Sequence, residues 1–187
     1  METSLANKKV AVIVANGFAE TQMTSPQRAL IEAGAKVKVI SPEQGLVNGW
    51  HETAWGHYFP VDEPIDSALG ADFDMLLLPG GKRSIAKLAQ TQHTARIVKS
   101  FFDAGKPVAA IGDGVGVLAL AEKAEGRRVT AAEEVVENLK AGGATVVEDE
   151  LVHDGNLLTA RGADALDGFV DAMLTHFGGG ADMQDAA

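Results

Sequence analysis

The stretch Lys106-Pro107-Val108-Ala109-Ala110-Ile111-Gly112-Asp113-Gly114-Val115-Gly116-Val117 has the pattern of a reactive turn. A short apolar run bounded by Pro and Gly reads as a buried strand. The glycines after Ile111 turn the chain too sharply for bulky side chains, and the small apolar residues beyond them open a helix. Elbows of this kind present a nucleophile in α/β folds, with N–H groups of the new helix aimed at the same point. The residue at the apex is Gly112, which has no side chain to react. Asp113 beside it can accept a proton, but it has no nucleophile to serve. The geometry of a catalytic site is expected here without its usual chemistry.

Other candidate groups narrow the chemistry further. The chain has no Cys, which removes disulfides, thiolate metal sites and thiol catalysis. His51 and His57 stand six apart in a polar loop, a weak basis for a metal site when no Cys accompanies them. No metal and no cofactor are expected. The run from Gly112 to Val117 fails the dinucleotide-binding pattern, because Gly-x-Gly-x-x-Gly requires a glycine at Val117 and belongs to the first strand–helix turn. Arg161 and Asp164 read as a local ion pair or helix cap.

The elements around the elbow define a fold class. Lys9–Ala15 is apolar on both faces, as a central strand of a parallel sheet is. A helix is expected over Thr21–Ala33, with Pro26 in its first turns and Gly34 as its stop. Lys36–Ser41 is a second strand. Leu46–Trp50 and Tyr58–Val61 read as short strands around a polar loop, an excursion that packs on the body or against another subunit. Phe73–Pro79 is the third core strand and ends in Gly80-Gly81. Helices are expected over Ile85–Leu88 and Ala95–Ala104, then the Val108–Leu120 unit. A short strand at Arg127–Thr130, a helix over Ala132–Ala141 and a strand at Thr145–Val147 follow. Asp154-Gly155 turns a hairpin between Leu151–His153 and Asn156–Ala160. A helix over Ala163–Phe177 closes the domain.

Strands alternating with helices predict a parallel sheet covered on both faces. Ligands in such sheets bind at the carboxyl ends of the strands. Gly17, Gly80, Gly81, Gly112, Asp113 and Gly114 lie in three turns of that description and are the candidate ligand-binding residues. The 187 residues suit one domain over residues 8–177, between a flexible lead-in (1–7) and a flexible tail (178–187). A net charge of −10 argues against nucleic acid and anionic membrane surfaces. Without an apolar leader at the N-terminus, cytoplasm is the expected compartment.

Several of these pieces together resemble the DJ-1/PfpI superfamily, and its PfpI-like branch most closely. They are Gly17-Phe18-Ala19-Glu20-Thr21-Gln22, Leu78-Pro79-Gly80-Gly81, Lys106–Ile111, Gly142-Gly143-Ala144 and Val152–Arg161, in that order. The resemblance covers about Lys8 to Phe177. It implies a flavodoxin-like three-layer α/β/α sandwich of the class I glutamine amidotransferase-like kind, dimeric or hexameric. It also implies relatives that are thiol-dependent peptidase-like, glyoxalase- or deglycase-like, or stress-response proteins. The family's nucleophilic Cys falls on Gly112, the His after it on Asp113, and the Glu that hydrogen-bonds the Cys on Gln22. Glu20, two residues earlier, is not that Glu. All three side chains of the thiol chemistry are replaced.

Two functional classes follow. One is a non-catalytic member acting as a binding, assembly or stress-related scaffold, a homo-oligomer with a small-molecule ligand in reach. The other is an enzyme of unorthodox mechanism acting in the same cleft on a small carbonyl or amide. Gly112 is expected to have positive φ.

Overall fold

The computed structural model describes residues 4–186. In chain order the elements are β1 (Lys9–Ile13), β2 (Phe18–Ala19), α1 (Glu20–Glu32), β3 (Lys36–Ser41), β4 (Leu46–His51), β5 (Ala54–Pro60), β6 (Glu63–Pro64) and β7 (Met75–Leu78). There follow α2 (Lys82–Leu88), α3 (Gln92–Asp103), β8 (Val108–Ile111), a 3₁₀ turn (Gly112–Gly116), α4 (Val117–Leu120), β9 (Arg128–Val129), α5 (Glu133–Ala141), β10 (Thr145–Val146), β11 (Leu151–Asp154), β12 (Leu157–Ala160) and α6 (Leu166–Ala186).

Seven strands form the central sheet in the order β11-β12-β8-β7-β1-β3-β6. All pair in parallel except β11, which returns antiparallel on β12 through the Asp154-Gly155 turn. Alternation along the strands divides the core in two. Ala11, Ile13, Leu76, Leu78, Val108 and Ala110 face one side and pack with Ile97, Val98 and Phe101 of α3 and with Val135 and Leu139 of α5. Val10, Val12, Leu77, Ala109 and Ile111 face the other and pack with Met23 and Leu30 of α1 and with Phe169, Met173 and Phe177 of α6. Full burial of each large side chain contributes roughly 1.5–3 kcal/mol. The fold is the expected flavodoxin-like α/β sandwich.

The strand order reverses at β1, since the chain runs outward to β3 and then crosses back to β7. The turns after β1, β7 and β8 therefore meet at one end of the sheet, the ligand-binding end of such folds.

Five details differ from the sequence expectation. Helix α1 begins at Glu20, so Pro26 lies in its middle. Pro26 lacks the N–H that would bond the Gln22 carbonyl, and the helix accepts that loss because Met23 and Leu30 are fully buried beneath it. The expected polar loop from Trp50 to His57 is instead an antiparallel hairpin of β4 and β5, turned at Glu52-Thr53. The elbow opens into a 3₁₀ turn before the single turn of α4, not directly into an α-helix. Helical backbone continues past Phe177, with a break at Gly179 where φ is −155°. At the other end Leu5, inside the expected lead-in, is buried and its N–H donates to the Ala33 carbonyl (2.7 Å). Residues 1–3 and 187 lie outside the described residues.

Candidate functional site

The elbow is built as the sequence pattern requires. Gly112 has φ +61°, in the left-handed region that side chains enter with strain. Its neighbour Gly114 packs against the Leu78 and Pro79 carbonyl oxygens so closely that a Cβ has no room. A Cβ at Gly112 is a different matter: its nearest contacts are the Gln22 Nε2 and Oε1 at 3.5 Å, ordinary van der Waals distance. The space for a side chain exists at the apex, and it faces Gln22.

Gln22 is buried on the first turns of α1. Its Oε1 accepts a hydrogen bond from the Gly80 N–H (2.8 Å). A Cβ on Gly80 would lie 2.5 Å from that oxygen, so the close approach depends on glycine. The structure thus brings Gln22, Gly80 and Gly112 together. The Gly81 N–H faces Asp113 and favours its ionised form. Both glycine amides at the end of β7 are therefore met by side chains of this chain. Gly17 (φ +90°) serves packing: its N–H donates to the Asn48 carbonyl (2.8 Å), and its Cα lies against the Arg83 side chain.

Asp113 turns away from the apex toward α5. Burial pushes its carboxyl up, and so does the negative charge of Glu134; the Gly81 N–H and Lys82 pull it down, and a side-chain hydrogen bond with Glu134 raises it again. The net direction is upward. Its Oδ1 is buried and meets no N–H donor, so the hydrogen bond with Glu134 requires a proton on one of the two carboxyls. Asp113, Lys82 and Glu134 line one cleft of about 570 Å³ between α2, α4 and α5. Of the turn residues picked from sequence, Asp113 alone is on that lining. Sequence reading missed Glu134 and Lys82. The only signal for Glu134 was its place in the first turn of α5, and pairing it with Asp113 required the tertiary fold.

Sequence reading also passed over Glu20 as a site residue. It is buried at the start of α1 and accepts from the His57 N–H (2.6 Å) and from the His57 ring Nδ1, 3.1 Å from Oε2. Burial alone would raise its pKa, but these bonds and the charges of His57 and His51 bring it below the usual carboxylate value. Gly49 and Gly56 of the hairpin pack directly on this carboxylate. His51 Nδ1 is 4.0 Å from Glu20. Among the described residues, no group of three His, Cys, Asp or Glu is placed to hold a metal.

A match to the DJ-1/PfpI family spans residues 8–176. The chain belongs to the DJ-1/PfpI family. It is 33% identical over 154 residues to a protein named as a deglycase in Thermococcus kodakarensis, covering 82% of this chain and 89% of that one. It is 35% identical over 164 residues to general stress protein 18 of Bacillus subtilis, covering 87% and 93%. The structure superposes with a TM-score of 0.85 and 28% identity on a crystal structure of a two-domain protein from Anabaena variabilis with DJ-1/ThiJ/PfpI-like and ferritin-like domains. That match covers 92% of this chain and 48% of the longer one. Within the DJ-1/PfpI fold this chain has no cysteine at all. Among the described residues no helix is long and apolar enough to cross a membrane.

Proposed function

We propose that this protein is a DJ-1/PfpI member that has given up thiol chemistry and acts as a binding or assembly protein. The observation that carries the reading is Gly112: the apex has the backbone of a nucleophile elbow, room for a side chain, and none. Gln22 fits the same reading. Its oxygen is committed to the Gly80 amide, so it supports the turn and does not titrate. A stress-related role in the cytoplasm is part of the proposal, supported by the general stress protein among the relatives.

The working form is proposed to be a homo-oligomer joined through the β4–β5 hairpin. Leu46, Trp55 and Tyr58 are 54%, 53% and 67% exposed on that hairpin, and exposed apolar patches mark contacts. Light scattering is expected to give at least twice the 19.5 kDa chain mass at micromolar concentration; a monomer overturns this part.

Methylglyoxal turnover tests the main reading. The purified protein is expected to match a buffer blank. A second reading, an enzyme using carboxyl acid–base chemistry, is favoured by the raised, partly buried Asp113. Turnover above the blank that disappears in a Gln22→Ala, Asp113→Ala double variant would establish it and overturn the first.

A further inference from the structure

We infer that the cleft between α2, α4 and α5 is a binding site for a small organic cation, a primary amine or amidine on a short apolar body. Its volume of about 570 Å³ is that of a small-ligand pocket. Its walls are mostly apolar, with Ile85 from α2, Ala89 just past its end, Leu120 from α4 and Val135 from α5. Its ionisable lining is gathered around Asp113: Asp113 itself, Glu134 and Lys82. Most ligand pockets have this form, a greasy body and a few convergent polar groups that fix orientation.

The polar groups select the ligand's charge. Two carboxyls against one lysine leave a deficit of one positive charge when both are ionised. Lys82 makes no ion pair within 4.0 Å among those formed by the described residues, so it stands off from both carboxyls. The Asp113 Oδ1 is buried and meets no N–H donor, and its side-chain partner, the Glu134 carboxyl, is an acceptor like itself. Two carboxyls set together without a donor cost free energy, and an ammonium or amidinium brought to the pair supplies N–H groups in place of a shared proton. The chain's net charge of −10 adds a field that concentrates cations and repels anions. Two groups favour the opposite choice, Lys82 and the Gly81 N–H, but the amide is already turned to Asp113.

The groups facing Asp113 are Glu134 from α5, and Lys82 and the Gly81 N–H from the start of α2. Because burial and Glu134 favour the protonated form of Asp113, a cation bound at the two carboxyls competes with that proton. Affinity therefore rises with pH as Asp113 loses its proton.

The inference rests on the reading of this protein as a binding protein, and the two fail separately. Calorimetric titration of the full chain with benzylamine, benzyl alcohol and benzoate at low salt is the direct test. Benzylamine is expected to bind at least tenfold more tightly than either isostere. Asp113→Asn and Glu134→Gln are each expected to weaken it at least tenfold, with the cleft otherwise intact. Ala89→Trp fills the apolar wall at an exposed position without touching a carboxyl, and it is expected to abolish binding even if the carboxyl variants fold poorly. Arg28→Ala, at an exposed position of α1 across the sheet from the cleft, is expected to change nothing. Equal affinity for amine and alcohol, preference for benzoate, or amine binding indifferent to all three cleft variants overturns the inference. Methylglyoxal turnover with intact amine binding overturns only the non-catalytic reading.

Discussion

The side-chain oxygen of Gln22 lies 2.8 Å from the Gly80 nitrogen and accepts its hydrogen bond. This contact ties the first turns of α1 to the end of β7, directly beneath the apex of the elbow. It joins two buried groups distant in sequence. A buried N–H left without a partner costs about 1–3 kcal/mol. Gln22→Ala is therefore expected to lower stability by about that amount, measured by urea unfolding. Gln22→Glu keeps an acceptor toward Gly80 and is expected to cost less. Equal losses in the two variants would show that the hydrogen bond is not what matters.

Gly112→Cys addresses the apex. The backbone there is left-handed, so a side chain costs on the order of 1–3 kcal/mol. The nearest contacts of the new Cβ are at 3.5 Å, so packing adds little and the variant is expected to fold. Gln22 Nε2 is placed to donate to a thiolate, while Asp113 next door opposes the negative charge. Thiol labelling against pH is expected to show modest reactivity for Gly112→Cys alone. It should rise when Gln22→Glu and Asp113→His are added. A variant as stable as the parent would remove the strain argument.

Much of this was legible in the sequence, for identifiable reasons. The β8 strand has the same ends, Val108 and Ile111, in sequence and structure because Pro107 and Gly112 punctuate it. The positive φ at Gly112 followed from the residue type and the strand-to-helix setting. Two features were hidden. One is the place of Pro26 in the middle of α1 and not in its first turns, a local penalty outweighed by burial of Met23 and Leu30. The Asp113–Glu134 relationship joins residues twenty-one positions apart through the packing of α5 on the elbow. No local pattern encodes it.

Glu20 holds the hairpin to the body. Its carboxylate accepts from both the backbone and the ring of His57, and its pKa is lowered in the fold. A lowered carboxylate pKa stabilises the fold above the unfolded value, and that contribution is lost as pH falls through the folded value. Glu20→Gln is expected to loosen the hairpin at neutral pH, read as faster amide exchange over β4 and β5, with a smaller difference from wild type in acid. Unchanged exchange at His57 would refute the anchoring role.

His176 gives the fold a second acid sensitivity. It is buried, and its Nε2 is 2.9 Å from the Asn156 carbonyl oxygen. A carbonyl only accepts, so Nε2 carries the proton. Nδ1, 2.8 Å from His153 Nε2, is then the acceptor for that exposed ring. Protonating His176 places a second N–H in this contact and a charge in the core. Burial, chiefly, lowers its pKa to about 4, with His153 adding to the effect and the Asn156 bond opposing it. The unfolded chain binds the proton more readily, so stability falls as pH drops from about 6.5 toward 4. Between pH 7 and 5 this one group is expected to remove about 2 kcal/mol. His176→Gln does not titrate, so it is expected to lose about 2 kcal/mol less than the parent over the same interval, whatever its stability at pH 7. Urea melts of both proteins at the two pH values measure the difference, and parallel losses would place the acid sensitivity elsewhere.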